Sequence, residues 1–139
     1  MEWLILALLS AISAALVAIF GKIGLEGVDS VLATGLRAGV MFIFMILILL
    51  FTKKIPDITT INRKGILFII LGGIAGALSW IFYFLALKLG QASKVAPIDR
   101  LSVIFVIIFA ALFLGEKLTT KVALGAVLIA VGAILIALA

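Results

Sequence analysis

A chain of 139 residues that is 67% hydrophobic and only 12% charged, with a mean hydropathy of +1.53, has more apolar surface than a soluble domain of this size can hide. Lipid therefore acts as the solvent. The net charge of +5 points to anionic headgroups, since no aromatic-rich basic module of the kind that binds nucleic acid accompanies it. With neither Cys nor His, disulfides, thiolate catalysis and the commonest zinc sites are excluded, and no metal or cofactor is expected.

Five apolar segments follow one another: 3–20, 31–51, 65–87, 95–114 and 122–139. Each has 18 to 23 residues, against the roughly 20 that a helix needs to cross about 30 Å of hydrocarbon. None alternates as a barrel strand would, so the spacing predicts an all-α integral membrane protein, one five-helix domain over 1–139. The first segment lacks the basic start of a signal peptide and reads as a retained helix. Its Ala7, Ala11, Ala14, Ala18 and Gly21 form a stripe of small residues, which segment five repeats with Ala123, Ala126, Ala130, Ala133 and Ala137. Such stripes allow close helix approach in lipid. Ser10 and Ser13 beside the first stripe either line a pathway or bond back to their own helix.

The glycine-rich turn GKIGLEGVDS ends in an N-cap, Asp29 or Ser30. Segment two then carries Arg37 six residues into its apolar run, where it either snorkels to the headgroups or faces the interior. Gly35 and Gly39 on segment two, Gly72, Gly73 and Gly76 on segment three, and Gly125 and Gly132 on segment five are candidate helix-packing positions. Segment three goes on to place Trp80, Tyr83 and Leu87 on one face, suited to aromatic packing or to the wall of a substrate cavity. The polar linker 52–64 reads as a surface loop.

Segment four opens with Pro97, Asp99, Arg100 and Ser102 and ends in a Gly-Glu-Lys turn. Pro97 leaves the Ser93 carbonyl without its usual donor and either kinks or starts the helix. Asp99 and Arg100 are adjacent, so they point about 100° apart and make a poor pair with each other. Counted from the same membrane face, Arg37 and Asp99 lie at similar depths, which allows an interhelical ion pair. Alternatively, Asp99 in a first helical turn gains about 0.3–1 kcal/mol from the macrodipole. Arg37, Trp80, Tyr83, Asp99, Arg100 and Ser102 are thus the candidates for a substrate pathway or gate. An enzyme is not expected, because no His base, activated nucleophile or carboxylate pair is present.

The run LGQASKVAPIDRLS at 89–102, the aromatic stretch 80–87 and ALFLGEKLTTKVALGAVLIAVGAIL at 111–135 resemble the EamA domain of the drug/metabolite transporter superfamily. SAALVAIFGKIGLEGVDS at 13–30 and the arginine of TGLRAGV at 34–40 extend the resemblance over essentially the whole chain. It implies a multi-pass protein of the inner (plasma) membrane that moves small metabolites or drugs. Many members resemble two such five-helix repeats fused in inverted orientation, whereas this chain carries one. Small multidrug-resistance transporters of the same superfamily rely on a carboxylate in the first helix. Here only Glu2 at its very end is available, so their cation-for-proton exchange is not carried over.

Five spans place the two termini on opposite faces, so a lone repeat regains inverted symmetry by pairing with an oppositely inserted copy or a homologous partner. Basic residues divide nearly evenly between the faces. Lys53, Lys54, Arg63, Lys64, Lys117 and Lys121 lie on one, Lys22, Arg37, Lys88, Lys94 and Arg100 on the other. The expected function is secondary transport by alternating access as an antiparallel dimer. A lipid-linked sugar flippase component and a non-transporting assembly protein are the alternatives.

Overall fold

The computed structural model describes residues 2–139. They form six α-helices and one 3-10 turn, with no strand among the described residues: α1 (Glu2–Gly24), α2 (Ser30–Phe51), the turn Pro56–Thr60, α3 (Arg63–Leu89), α4 (Ala92–Asp99), α5 (Ser102–Phe113) and α6 (Thr120–Leu138). Five stretches are long and apolar enough to span a membrane, the fourth being α4 and α5 together, Ala92–Phe113. The fold class expected from the sequence is the one observed: an all-helical, five-span membrane protein.

The ends of these helices are set by local chemistry. Asp29 caps α2: its Oδ1 accepts from the amides of Val31 at 2.9 Å and Leu32 at 3.0 Å, which settles the choice between Asp29 and Ser30. The Leu32 amide in particular holds the Asp29 carboxyl below its ordinary value, helped by the amide of Val31 and the charge of Lys88. At the other end of α2, Lys53 takes a left-handed backbone, φ 55°. The Lys53 and Lys54 amides return to the carbonyls of Leu50 and Leu49, a Schellman closure that usually uses glycine. Gly115 of the Gly-Glu-Lys turn, at φ 69°, serves in that capacity after α5, with the Glu116 amide reaching back to Ala110.

The fourth span differs most from expectation. It starts at Ala92, so Pro97 lies inside α4 and Asp99 is its last residue. The macrodipole account of Asp99 is therefore corrected: a carboxylate at a helix C-terminus faces unpaired carbonyls, not amides. Past it the ladder tightens. The amides of Arg100, Leu101, Val103 and Ile104 bond to the carbonyls of Pro97, Ile98, Arg100 and Leu101, three residues back, before α5 resumes at Ser102.

The chain divides into two compact units. One comprises α1 up to Phe20 with Leu89–Ala139, and within it α4 packs on α6. The other is Gly21–Lys88. Neither has much interior: the buried residues are Gly21, Leu25, Ser30, Thr34, Phe84 and Leu87 in the second, and Ala18, Ala126 and Ala133 in the first. Ser13 Oγ donates to the Leu9 carbonyl at 2.9 Å, so this serine bonds back to its own helix.

Candidate functional site: an arginine on an aromatic platform

In the unit Gly21–Lys88, the last turns of α1 and α3 and the start of α2 are tied together by polar groups. Lys22 Nζ donates to the Leu87 carbonyl. Lys88 Nζ donates to the Val28 carbonyl at 2.9 Å. Each ammonium thus satisfies a carbonyl on another segment, Lys22 at the open C-terminus of α3 and Lys88 in the turn before α2. Gly21 lies against Phe84 and Leu87; a Cβ there would stand 3.2 Å from Phe84 Cζ and 3.4 Å from Leu87 Cδ1. A residue without a side chain lets the α1 backbone come this close with no displacement of Phe84.

Phe84 belongs to an aromatic platform on α3. Trp80 meets Tyr83 edge-on with centroids 5.6 Å apart, and Trp80 and Phe84 are 5.8 Å apart. Over this platform lies Arg37 of α2, its guanidinium carbon 3.5 Å from the Trp80 ring centroid and 5.5 Å from that of Phe84. A cation over a partly desolvated indole gains about 0.5–2 kcal/mol. An arginine at the bilayer centre costs roughly 2.5–3.5 kcal/mol on insertion scales, less towards the interface. Arg37 is the eighth residue of α2, ~10 Å along the helix, so its aromatic partner offsets much of the reduced cost. With its central carbon 3.5 Å from the ring centroid, the guanidinium spends one face on the indole, which leaves the N–H groups at its edge able to donate.

Trp80 and Arg37 open on a groove of about 1070 Å³ between α2 and α3. Its polar groups, Thr34, Arg37 and the Trp80 indole, cluster at one end. The rest is apolar, lined by Met41, Phe42, Met45, Ile69 and the bare backbone of Gly73 and Gly76. Thr34 is buried and its hydroxyl donates to the Ser30 carbonyl at 2.7 Å, which leaves its oxygen as an acceptor.

The other unit holds a shallower groove of about 470 Å³. The α1 stripe Ala11, Ala14 and Ala18 forms one wall, Pro97 and Arg100 another, and Gly132 and Ala133 of α6 a third. The candidates of the sequence are therefore distributed. Arg37, Trp80 and Tyr83 come together in one unit; Pro97 and Arg100 line a groove in the other, beside Asp99 and Ser102 at the α4–α5 break. The aromatic stacking of Arg37 and the part played by Phe84 were not anticipated. The signal for Phe84 was present, four residues after Trp80 on the same face. None of the seven glycines marked for helix packing has a neighbour within 4 Å of the place a Cβ would take; the close contact between helices is at Gly21.

Comparison with known proteins places this architecture. A Sinorhizobium protein named as an uncharacterized transporter in the cobO 3′ region is 44% identical over 136 residues, which are 98% of this chain and 96% of that protein. The pseudopaline exporter of Pseudomonas aeruginosa is 32% identical over 76 residues, 55% of this chain but 27% of the exporter. That exporter is therefore about twice as long as this chain. No solved structure matches. Residues 1–138 match the EamA-like transporter family, and the chain, a multi-pass membrane transporter by its five apolar helices and its relatives, belongs to that family.

Proposed function

We propose that the protein is a secondary transporter of small organic metabolites in the plasma (inner) membrane, working by alternating access as an antiparallel pair of identical or homologous chains. The observation that carries this reading is length. A transporter relative matches end to end at the size of one repeat, while the pseudopaline exporter is about twice as long. A single five-span repeat reaches the doubled, inverted arrangement by association. The near-even division of basic residues between the two faces supports insertion in both orientations.

In this reading Arg37, Trp80 and Tyr83 contact the cargo, and the α4–α5 break is the moving part. Discontinuous helices at which unwound backbone lines a cavity are the usual location of transport sites. Beyond Glu2 at the start of α1, Asp99 is the one carboxylate within the five spans, so any proton coupling runs through it. Cysteines placed singly in the 52–62 and 114–119 loops test the pairing through labelling with a membrane-impermeant maleimide in intact cells. Partial labelling of every site is the expected result; full labelling of all sites or of none, one orientation throughout, would overturn the homodimer.

A further inference from the structure

We infer that the α2–α3 groove selects amphiphilic organic anions: a carboxylate seated on Arg37 and an apolar body laid along the groove. This rests on the transporter reading and adds the class of cargo. The groove has its polar groups at one end, as an amphiphile does. At that end the Arg37 guanidinium spends its face on Trp80, 3.5 Å from the ring centroid, and keeps its edge for a planar acceptor. A carboxylate matches that edge with two parallel hydrogen bonds, whereas an ammonium is repelled and an alcohol offers one acceptor.

The remainder of the groove admits no second polar head. From Arg37 to Met45 it runs ~12 Å along α2, counting about 1.5 Å per residue, past methionines and a phenylalanine. Gly73 and Gly76 keep the opposite wall flat, with open space where side chains would stand. Methionine and bare backbone adapt to bodies of varied shape, so the selection falls on the head. The occupant is a freely exchanging solute and not a resident phospholipid: a body of ~12 Å is shorter than the acyl chains that cross half of a 30 Å hydrocarbon core.

The test uses the purified full chain carrying Trp3→Phe, so that Trp80 is the sole indole. The probe is 6-(4-bromophenyl)hexanoate, with the corresponding alcohol and amine as head-group controls and quenching of Trp80 fluorescence as the readout. The acid should quench saturably and bind at least ten-fold more tightly than either control. Arg37→Gln should bring acid and alcohol within two-fold of each other. Gly73→Leu should weaken acid and alcohol alike by ten-fold or more, while Ala75→Leu, outside the groove on the same helix, should leave both unchanged.

Equal binding of acid and alcohol by the parent protein overturns the inference, as does an acid preference that survives Arg37→Gln. Loss of saturable quenching when phosphatidylglycerol nanodiscs replace detergent assigns the groove to lipid and overturns it too. A drop from dimer to monomer in Gly73→Leu, measured by light scattering, assigns the groove to a second copy. Uptake of the acid into proteoliposomes separates the two levels. Selective binding without uptake refutes the transporter reading and leaves the ligand class standing; uptake of other solutes without head-group selection refutes the ligand class alone.

Discussion

The close approach at Gly21 gives the sharpest quantitative prediction. A methyl at this position meets Phe84 Cζ at 3.2 Å and Leu87 Cδ1 at 3.4 Å, with Phe84 Cε1 at 3.5 Å. The first of these is tighter than ordinary van der Waals separation, the other two are ordinary contacts, and both neighbours are buried: Phe84 is 4% exposed and Leu87 0%. Gly21→Ala therefore sets two effects against each other. Replacing glycine by alanine inside a helix gains about 1 kcal/mol in propensity, while shifting the packed Phe84 ring by a few tenths of an ångström consumes a similar amount. The alanine variant should lie within about 0.5 kcal/mol of the parent by this balance. Gly21→Leu adds three carbons more than alanine against the same buried neighbours and should destabilise by about 1–3 kcal/mol, the usual range for overpacking.

Titration with sodium dodecyl sulfate in mixed micelles, followed by Trp80 emission in the Trp3→Phe background, reads these differences. Phe84 supports Trp80 at 5.8 Å, so Gly21→Leu should also alter the native emission of Trp80. A leucine variant as stable as the parent, with unaltered emission, would refute the packing account of the platform.

Three further outcomes follow from helix ends and the break. The Asp29 carboxyl is held below its ordinary 3.8, so its stabilisation of α2 is complete above that pH and is lost as pH falls through the lower folded value. NMR titration of the Val31 and Leu32 amides should give a midpoint below 3.8, and Asp29→Ala should abolish the transition. Lys53 holds a left-handed backbone that costs a side chain about 1–2 kcal/mol, so Lys53→Val should be the least stable and Lys53→Gly the most stable of the three by detergent titration. Asp99→Asn should abolish pH-driven uptake into liposomes while counterflow of preloaded substrate persists; unchanged pH-driven uptake would remove Asp99 from coupling.

The spans were legible because each is a run of about 20 apolar residues, a signal set by bilayer thickness and independent of tertiary contacts. Caps were legible where one side chain decides them, as at Asp29. The left-handed turn at Lys53 was not, because a Schellman closure normally announces itself with glycine. Pro97 marked the fourth span as irregular, but the tightened hydrogen bonds fall three to seven residues beyond it, where the sequence shows only ordinary helix formers. For the site, composition singled out Arg37 because charge is rare in these segments. Its partner was harder to read. Charge complementarity favours a carboxylate, yet the unit that contains Arg37 supplies an indole 43 positions downstream. Hydropathy patterns carry no information about which helix faces which, and this part of the site depends on that.

Why the packing concentrates at one end of Gly21–Lys88 follows from the solvent. In lipid, burying a leucine against a leucine yields no hydrophobic gain, so long stretches of α2 and α3 remain exposed without penalty, Phe42 at 67% and Ile69 at 63% among them. What does reward contact is satisfying a polar group, since an unpaired carbonyl or cation has no water to turn to. Lys22 on Leu87, Lys88 on Val28, Thr34 on Ser30 and Arg37 on Trp80 are such contacts, and Leu25, Ser30, Thr34, Phe84 and Leu87 are buried around them. The same interactions that make a charge tolerable thus fix its position. Arg37 is held on a rigid platform, while the groove beyond it, walled by methionine and bare glycine backbone, stays open and adaptable. A fixed cation beside an adaptable apolar channel constrains the head of a ligand and leaves its body free to vary, which makes Arg37 the residue whose replacement should change selectivity most.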